Sequence, residues 1–303
     1  MTLLHQIVGD YVITEQLADV QGLERYVAEA AGKPRVQAVR FTTPQKQPET
    51  VAILANAINS LTLSSLETIK VHHLDKTETA VSYLILTPLD NGRSLADHLE
   101  NGRLAADEAI QLAIRLSTAL SYAHQQGVQH LNLTPSHILL PTDGAFAQAR
   151  LAEFGKAHLL QTARVPQPAT FRAAMPYASP AQLLQESPTA ADDIYMLGRL
   201  LIEAINGQPF PTPGSIHALL EKREEPVDLE CDDEALSELL QQLISPDPAA
   251  RPTAAELLRR LTQLNAKPLL ENTAANEREK KQHNEVMLVA QSWHSRPNLR
   301  QRL

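Results

Sequence analysis

Three early stretches, Tyr11 to Leu17, Arg25 to Glu29 and Arg35 to Phe41, carry β-branched and aromatic residues between breakers, which predicts three successive antiparallel strands. The period then changes. From Thr50 to Leu61 the apolar residues Val51, Leu54, Ala57, Ile58 and Leu61 recur at three and four residues, the spacing of one helix face. Ala80 to Leu86 reads as a further strand leading into Thr87-Pro88-Leu89, where Pro88 removes a backbone donor. Ser94 is a candidate N-cap for the segment through Leu99. A long helix is predicted over Ala105 to Gln125, with Ile110, Ala113, Leu116, Leu120 and Ala123 on its core side.

At 303 residues and 43% hydrophobic content, the chain can bury a substantial core in one large domain or two smaller ones. The charge balance, 27 − 35 = −8, gives no basic footprint for nucleic acid or for an anionic membrane surface. The single cysteine, Cys231, cannot form an intrachain disulfide and reads as inert. No apolar run approaches the roughly 18 to 20 residues of a membrane span, and the first residues lack the basic start and apolar block of a signal peptide. The expected compartment is the cytoplasm.

The stretch Val128 to Leu140, V-Q-H-L-N-L-T-P-S-H-I-L-L, organises the rest. It resembles the protein kinase catalytic loop H-R-D-L-x-x-x-N, in which the Asp orients and deprotonates the substrate hydroxyl and the Asn holds magnesium. His130, Leu133, Pro135 and Ile138-Leu139-Leu140 fall at that loop's packing positions. The base position is Asn132, the metal position is His137 and the neighbouring lysine position is Thr134. Leu131 replaces the arginine that pairs with a phosphorylated activation segment.

Further segments follow the family's order. Ala18-Asp19-Val20-Gln21-Gly22-Leu23 stands for the glycine-rich turn, with side chains where glycines would admit phosphates. Gln37-Ala38-Val39-Arg40 matches V-A-I-K, which places Arg40 at the lysine position, Ala38 beside it and Asn56 near the helix glutamate that the lysine pairs with. Leu86 matches the gatekeeper. Ala149 to Gly155 matches the D-F-G strand, with Glu153 for Asp and Gly155 retained. Tyr177-Ala178-Ser179-Pro180-Ala181-Gln182 matches Y-x-S-P-E-Q with Ala181 for Glu, so Arg251 is expected to lack its usual carboxylate partner. Asp193 falls at the position that braces the catalytic loop.

The resemblance, closest to bacterial Ser/Thr kinases of eukaryotic type, covers about Asp10 to Leu264. It implies an α+β, two-lobed fold: a small β-rich N-lobe over 10–86, a hinge near 87–89, a larger helical C-lobe over 88–264, and a tail over 265–303. The same resemblance implies that the chemistry is gone, since loss of a general base alone costs about a hundredfold to ten thousandfold. The expectation is a pseudokinase with no cofactor and no metal site, serving as an interaction, scaffold or regulatory module for a protein partner. Glu153 and His137 are the pair that could still meet a divalent ion, although His suits zinc better than magnesium. One alternative is an unconventional nucleotide-binding enzyme or weak phosphotransferase using Glu153, His137 and Arg40 in altered roles; another is a purely structural subunit. In the tail, the apolar run Val286 to Ala290 and the only tryptophan, Trp293, precede three arginines, so it is either a solvated terminus or a docking segment. Thr162, Thr170 and Ser179 read as ordinary loop residues.

Overall fold

A computed structural model describes residues 3–20, 23–44, 48–77, 80–89, 92–165, 174–211 and 215–266. The chain divides into two units, Met1–Leu261 and Thr262–Leu303. Of the second, only residues 262–266 are described, and they are helical. The apolar run at Val286, Trp293 and the terminal arginines therefore lie outside the described residues, as does Thr170.

The N-terminal region is a six-stranded antiparallel sheet in the order β1-β2-β3-β4-β7-β6. Its strands are β1 (Ile7–Val8), β2 (Tyr11–Val20), β3 (Leu23–Glu29), β4 (Val36–Pro44), β6 (Lys70–Lys76) and β7 (Ala80–Pro88). The three early stretches become β2, β3 and β4. Val20 pairs with Leu23; Gln21 and Gly22, within the counterpart of the glycine-rich turn, lie outside the described residues. β7 runs two residues beyond Leu86, pairing Thr87 with Gln37 and Pro88 with Val36. The expected hinge residues Thr87 and Pro88 thus belong to the sheet, because β4 offers them partners.

Helix α1 (Pro48–Ser60) follows β4 and buries Val51, Leu54, Ala55 and Ile58. A second, four-stranded sheet has the order β5-β10-β9-β8, built from β5 (Leu66–Thr68), β8 (Arg93–Ser94), β9 (Ile138–Leu140) and β10 (Arg150–Phe154). β5 joins β10 in parallel and the other pairs are antiparallel.

Beyond β8 the chain is mainly helical: α2 (Leu95–Leu99), α3 (Ala106–Gln125), α4 (Lys156–Thr162), α5 (Pro180–Leu183), α6 (Ala190–Asn206), α7 (Ile216–Glu224), α8 (Glu234–Leu243) and α9, which begins at residue 254. Ser94 caps α2 as its sequence suggests: its hydroxyl accepts from the Asp97 N–H, while the Asp97 carboxylate accepts from the Ser94 N–H at 2.8 Å. α6 is buried on every side from Asp192 to Ile205, as a helix in the middle of a helical region must be. Its Gly198 allows α8 to approach closely. A Cβ there would stand 2.7 Å from the Leu243 Cβ and 2.9 Å from the Ile244 Cγ2.

Overpacking of this kind costs about 1–3 kcal/mol. Gly198→Ala should therefore shift the urea midpoint to lower concentration with an unchanged m-value.

Candidate functional site

The loop from Val128 to Leu140 is held from below by one carboxylate. Asp193, fully buried on α6, accepts from the His130 N–H at 2.8 Å and the Leu131 N–H at 2.7 Å, and His124 Nε2 lies 2.8 Å from its Oδ2. Burial alone would raise its pKa, but the hydrogen bond and charge of His124, together with His130, bring it below the ordinary value. Leu131 is thereby fixed at φ 60°, an unusual conformation for a bulky residue, with its carbonyl taking the Gln182 amide at 3.1 Å. His130 lies entirely inside: Nδ1 accepts from the Asn132 N–H at 3.2 Å, so Nε2 is the protonated nitrogen and donates to the Ala152 carbonyl at 2.9 Å. Its ring meets Phe154 edge-on at 5.2 Å. Desolvation lowers its pKa to about 4, helped by the neighbouring His137.

Above this brace, the changed positions do converge. Asn132 Nδ2 lies 3.3 Å from His137 Nε2, Thr134 Oγ1 lies 2.8 Å from His137 Nδ1, and His137 Nε2 lies 3.7 Å from Glu153 Oε2. The Asn132 Oδ1 is buried without a hydrogen-bond partner. Glu153, next to last in β10, has φ 55°, and its other oxygen accepts from Lys156 Nζ at 2.7 Å. Desolvation pushes the Glu153 carboxyl upward, but Lys156 and then His137 outweigh it and hold the group well below the usual carboxylate range. Lys156 opens α4, whose N-cap is Gly155 at φ 85°. A Cβ at Gly155 would meet Ile58 of α1 at 2.7 Å, so the glycine is required both by conformation and by space.

The N-terminal positions require correction. Ala38 and Leu86 are cross-strand partners within a cluster that contains Ile13, Tyr26, Ala28, Val36 and Leu84 and is covered by Leu3, Leu4 and Val8. Arg40 pairs with Leu84 and Glu24, so it shares that face, and its guanidinium lies 3.4 Å from Glu24 Oε2 and 3.7 Å from Asp75 Oδ2. No α1 residue belongs to the cluster. The opposite face carries Val39, Phe41, Tyr83, Ile85, Thr87 and Val71, all buried. Val71 lies on edge strand β6, against which α1 packs and whose backbone Asn59 holds through both its N–H and C=O. The residues of β4 that face α1 are thus Val39 and Phe41, and Arg40 and Ala38 face away. Arg40, expected at a site lysine, thus lies on the face away from α1; in a strand, neighbouring residues point to opposite faces. Leu86, opposite Ala38, lies on the same face as Arg40. Asn56 is exposed on the outer side of α1, so it does not stand at the glutamate position either. The only acid on α1, Glu49, is exposed in its first turn.

Arg251 does lack a carboxylate at Ala181, but the buried Asp192 carboxylate at 3.9 Å and backbone carbonyls meet it instead. Its guanidinium donates to Ser245, Ala191 and Pro246 at 2.8, 2.9 and 3.1 Å and stacks over Tyr195 at 4.8 Å. Ser179, fully buried at the N-cap of α5, donates to Asp192 at 2.6 Å, which ties this segment to α6 without the usual glutamate. Reasoning from sequence missed Lys156 and His124 and gave Gln182 and Phe41 no part in the site. Of these, Lys156 had a signal, a cation three residues beyond an acid at a helix start.

The protein kinase domain family model matches residues 34–261. The chain belongs to the protein kinase family. Among its relatives, a probable serine/threonine-protein kinase PknB of Lactococcus lactis is 29% identical over 147 residues, 48% of this chain and 23% of that protein. Serine/threonine-protein kinase PknA of Mycobacterium tuberculosis is 30% identical over 151 residues, 49% and 34% of the two chains. A calcium/calmodulin-dependent protein kinase of Emericella nidulans is 28% identical over 223 residues, 69% and 50%. The aligned stretches span at most half of these relatives.

Kinases hold magnesium and nucleotide phosphates with carboxylates, an asparagine and a lysine. This donor set does not fit that group. The carboxylate beside His137, Glu153, is already ion-paired, its neighbours are an amide and an imidazole, and Phe41 rather than a cation faces α1. Among the described residues, no helix is long and apolar enough to cross a membrane.

Asp193→Ala removes the acceptor of two loop amides and of His124, and breaking a buried charged network costs about 3–5 kcal/mol. The variant should lose that stability in urea unfolding, whereas Asp75→Ala, at a half-exposed ion pair, should lose about 1 kcal/mol or less. His130 gives a pH test. Its folded pKa is depressed, so the stability of its neutral form is fully present above the unfolded value of about 6.5 and is lost as pH falls toward about 4, because the unfolded chain takes up the proton first. The melting temperature should fall across that window, and His130→Tyr should flatten the slope.

Proposed function

We propose that this protein kinase-family domain is a catalytically inactive pseudokinase that works as a protein-interaction, scaffold or regulatory module. The observation that carries the reading is the state of the carboxylate beside His137: Glu153 is neutralised by Lys156 at 2.7 Å and approached by His137 at 3.7 Å. Phosphoryl transfer depends on positioned charge, namely metal ions, a cation on the phosphates and a carboxylate at the substrate hydroxyl. Asn132 supplies no proton acceptor at neutral pH, and Arg40 points to the other face of its sheet. The alternative of an enzyme that uses Arg40 in an altered role therefore loses its cation. Pro88 also lacks the N–H that a backbone contact to a nucleotide base would use.

The kinase-like span from about Asp10 to Leu264, with its N-terminal and C-terminal lobes, is proposed as the folded module. Residues 265–303 are proposed as a segment that docks to a partner through Trp293 and the apolar run at Val286.

ATP with magnesium should leave the melting temperature of the full chain unchanged at millimolar concentration, and no phosphate should pass to a generic protein substrate. A shift of several degrees that needs both ATP and magnesium and disappears in Glu153→Ala would overturn the proposal.

A further inference from the structure

The carboxylate of Glu153 lies near the end of β10 with both oxygens engaged, one by Lys156 Nζ at 2.7 Å and one facing His137 Nε2 at 3.7 Å. Both members of the Glu153–Lys156 pair are mostly shielded, with side-chain exposures of 24% and 16%. Lys156 comes from the first residue of α4, so the pair links the end of β10 to the start of that helix. Helix α4 is itself anchored: Leu159 and Leu160 are buried, α4 packs against α1, and His158 Nδ1 accepts from the Gln129 N–H at 3.2 Å. A cation on this carboxylate would thus hold together β10, α4, α1 and the Val128–Leu140 loop.

We infer that Lys156 is a built-in counter-ion that stands in for a divalent cation beside Glu153 and makes the segment from Glu153 to Ala163 independent of any bound metal. This role rests on the reading of the site as metal-free. An ammonium three residues further along the chain, at the start of α4, cannot diffuse off, so the carboxylate is neutralised at every metal concentration. Its removal leaves a largely buried charge with only His137, at 3.7 Å, beside it, a situation in which a carboxylate either destabilises the fold or recruits a cation from solution.

The test is thermal unfolding of the full chain in chelator-treated buffer without nucleotide, with manganese chloride as the probe. Lys156→Met should lower the melting temperature by several degrees, and millimolar manganese should restore at least half of that loss while leaving the wild type unmoved. Lys156→Arg should behave as the wild type does. The double variant Glu153→Gln/Lys156→Met should recover most of the loss and ignore manganese, because no orphaned charge remains. If Lys156→Met folds too poorly to melt, the double variant decides: recovery to near the wild-type value supports the counter-ion, and failure to recover overturns it. An unchanged melting temperature in Lys156→Met, or equal stabilisation of wild type and variant by manganese, would also overturn it. Nucleotide is absent throughout, so an ATP-dependent shift in the wild type would sink the non-catalytic reading without touching this result.

Discussion

The buried carboxylate of Asp193 is the contact on which the loop from Val128 to Leu140 depends. It satisfies two consecutive backbone N–H groups and the ring of His124 inside the helical region, where an unmet donor costs about 1–3 kcal/mol. Because it fixes Leu131 at φ 60°, the chain on either side has a single direction: His130 goes down into the core and Asn132, Thr134 and His137 come up together. None of this requires a carboxylate at position 132. The brace acts on backbone, so it persists whatever side chains the loop presents. The loop's course in this kinase-family domain is therefore set by backbone contacts, whichever side chains stand at Asn132, Thr134 and His137.

A similar separation of scaffold from chemistry holds where the usual glutamate is replaced by Ala181. The segment Met175–Ala178 is held by buried charges from two helices: Arg199 donates to the Pro176 carbonyl at 2.9 Å, Arg223 donates to the carbonyls of Met175, Pro176 and Ala178, and Tyr177 donates to Glu203 at 2.9 Å. Burial lowers Arg199 to about 10, still far above neutrality, so it remains charged and its guanidinium lies over Phe210 at 3.5 Å. Arg251 finds three carbonyls and the Asp192 carboxylate in place of the missing one. A buried arginine has five donors to share among carbonyls and a second carboxylate, so loss of one acidic partner need not unfold the region.

What the sequence made legible follows from what each pattern specifies. Helical periodicity placed α1 and α3 within a residue or two, since a 3.6-residue stripe of apolar side chains has one solution. The order of motifs located Asn132, Thr134, His137, Glu153, Gly155 and Asp193, and these do gather around one loop. Strand register was not legible. β4 is buried on both faces, with Ala38 and Val39 equally hidden, so alternation gave no sign of which face meets α1. The match of four residues to V-A-I-K then chose the wrong face, and Leu86 followed because it pairs with Ala38. Asn56 failed for a different reason. Position on a helix by spacing from a strand carries an error of one or two residues, enough to rotate a side chain by 100–200° into solvent.

Lys156 escaped notice because a motif comparison looks for replaced residues at fixed positions, and this group compensates from a position that the motif does not contain. Its effect becomes visible only when the carboxylate is treated as a charge that must be met somewhere. Glu153 is shielded and ionised, so a cation within reach is a physical requirement, and at the start of α4 the chain itself supplies one. The helix dipole would favour an acid rather than a lysine at that end, so the ammonium is held there against the local field. A side chain kept at an unfavourable helix position by a single strong partner marks where the energetic demand of the site lies, and here that demand is for positive charge beside Glu153.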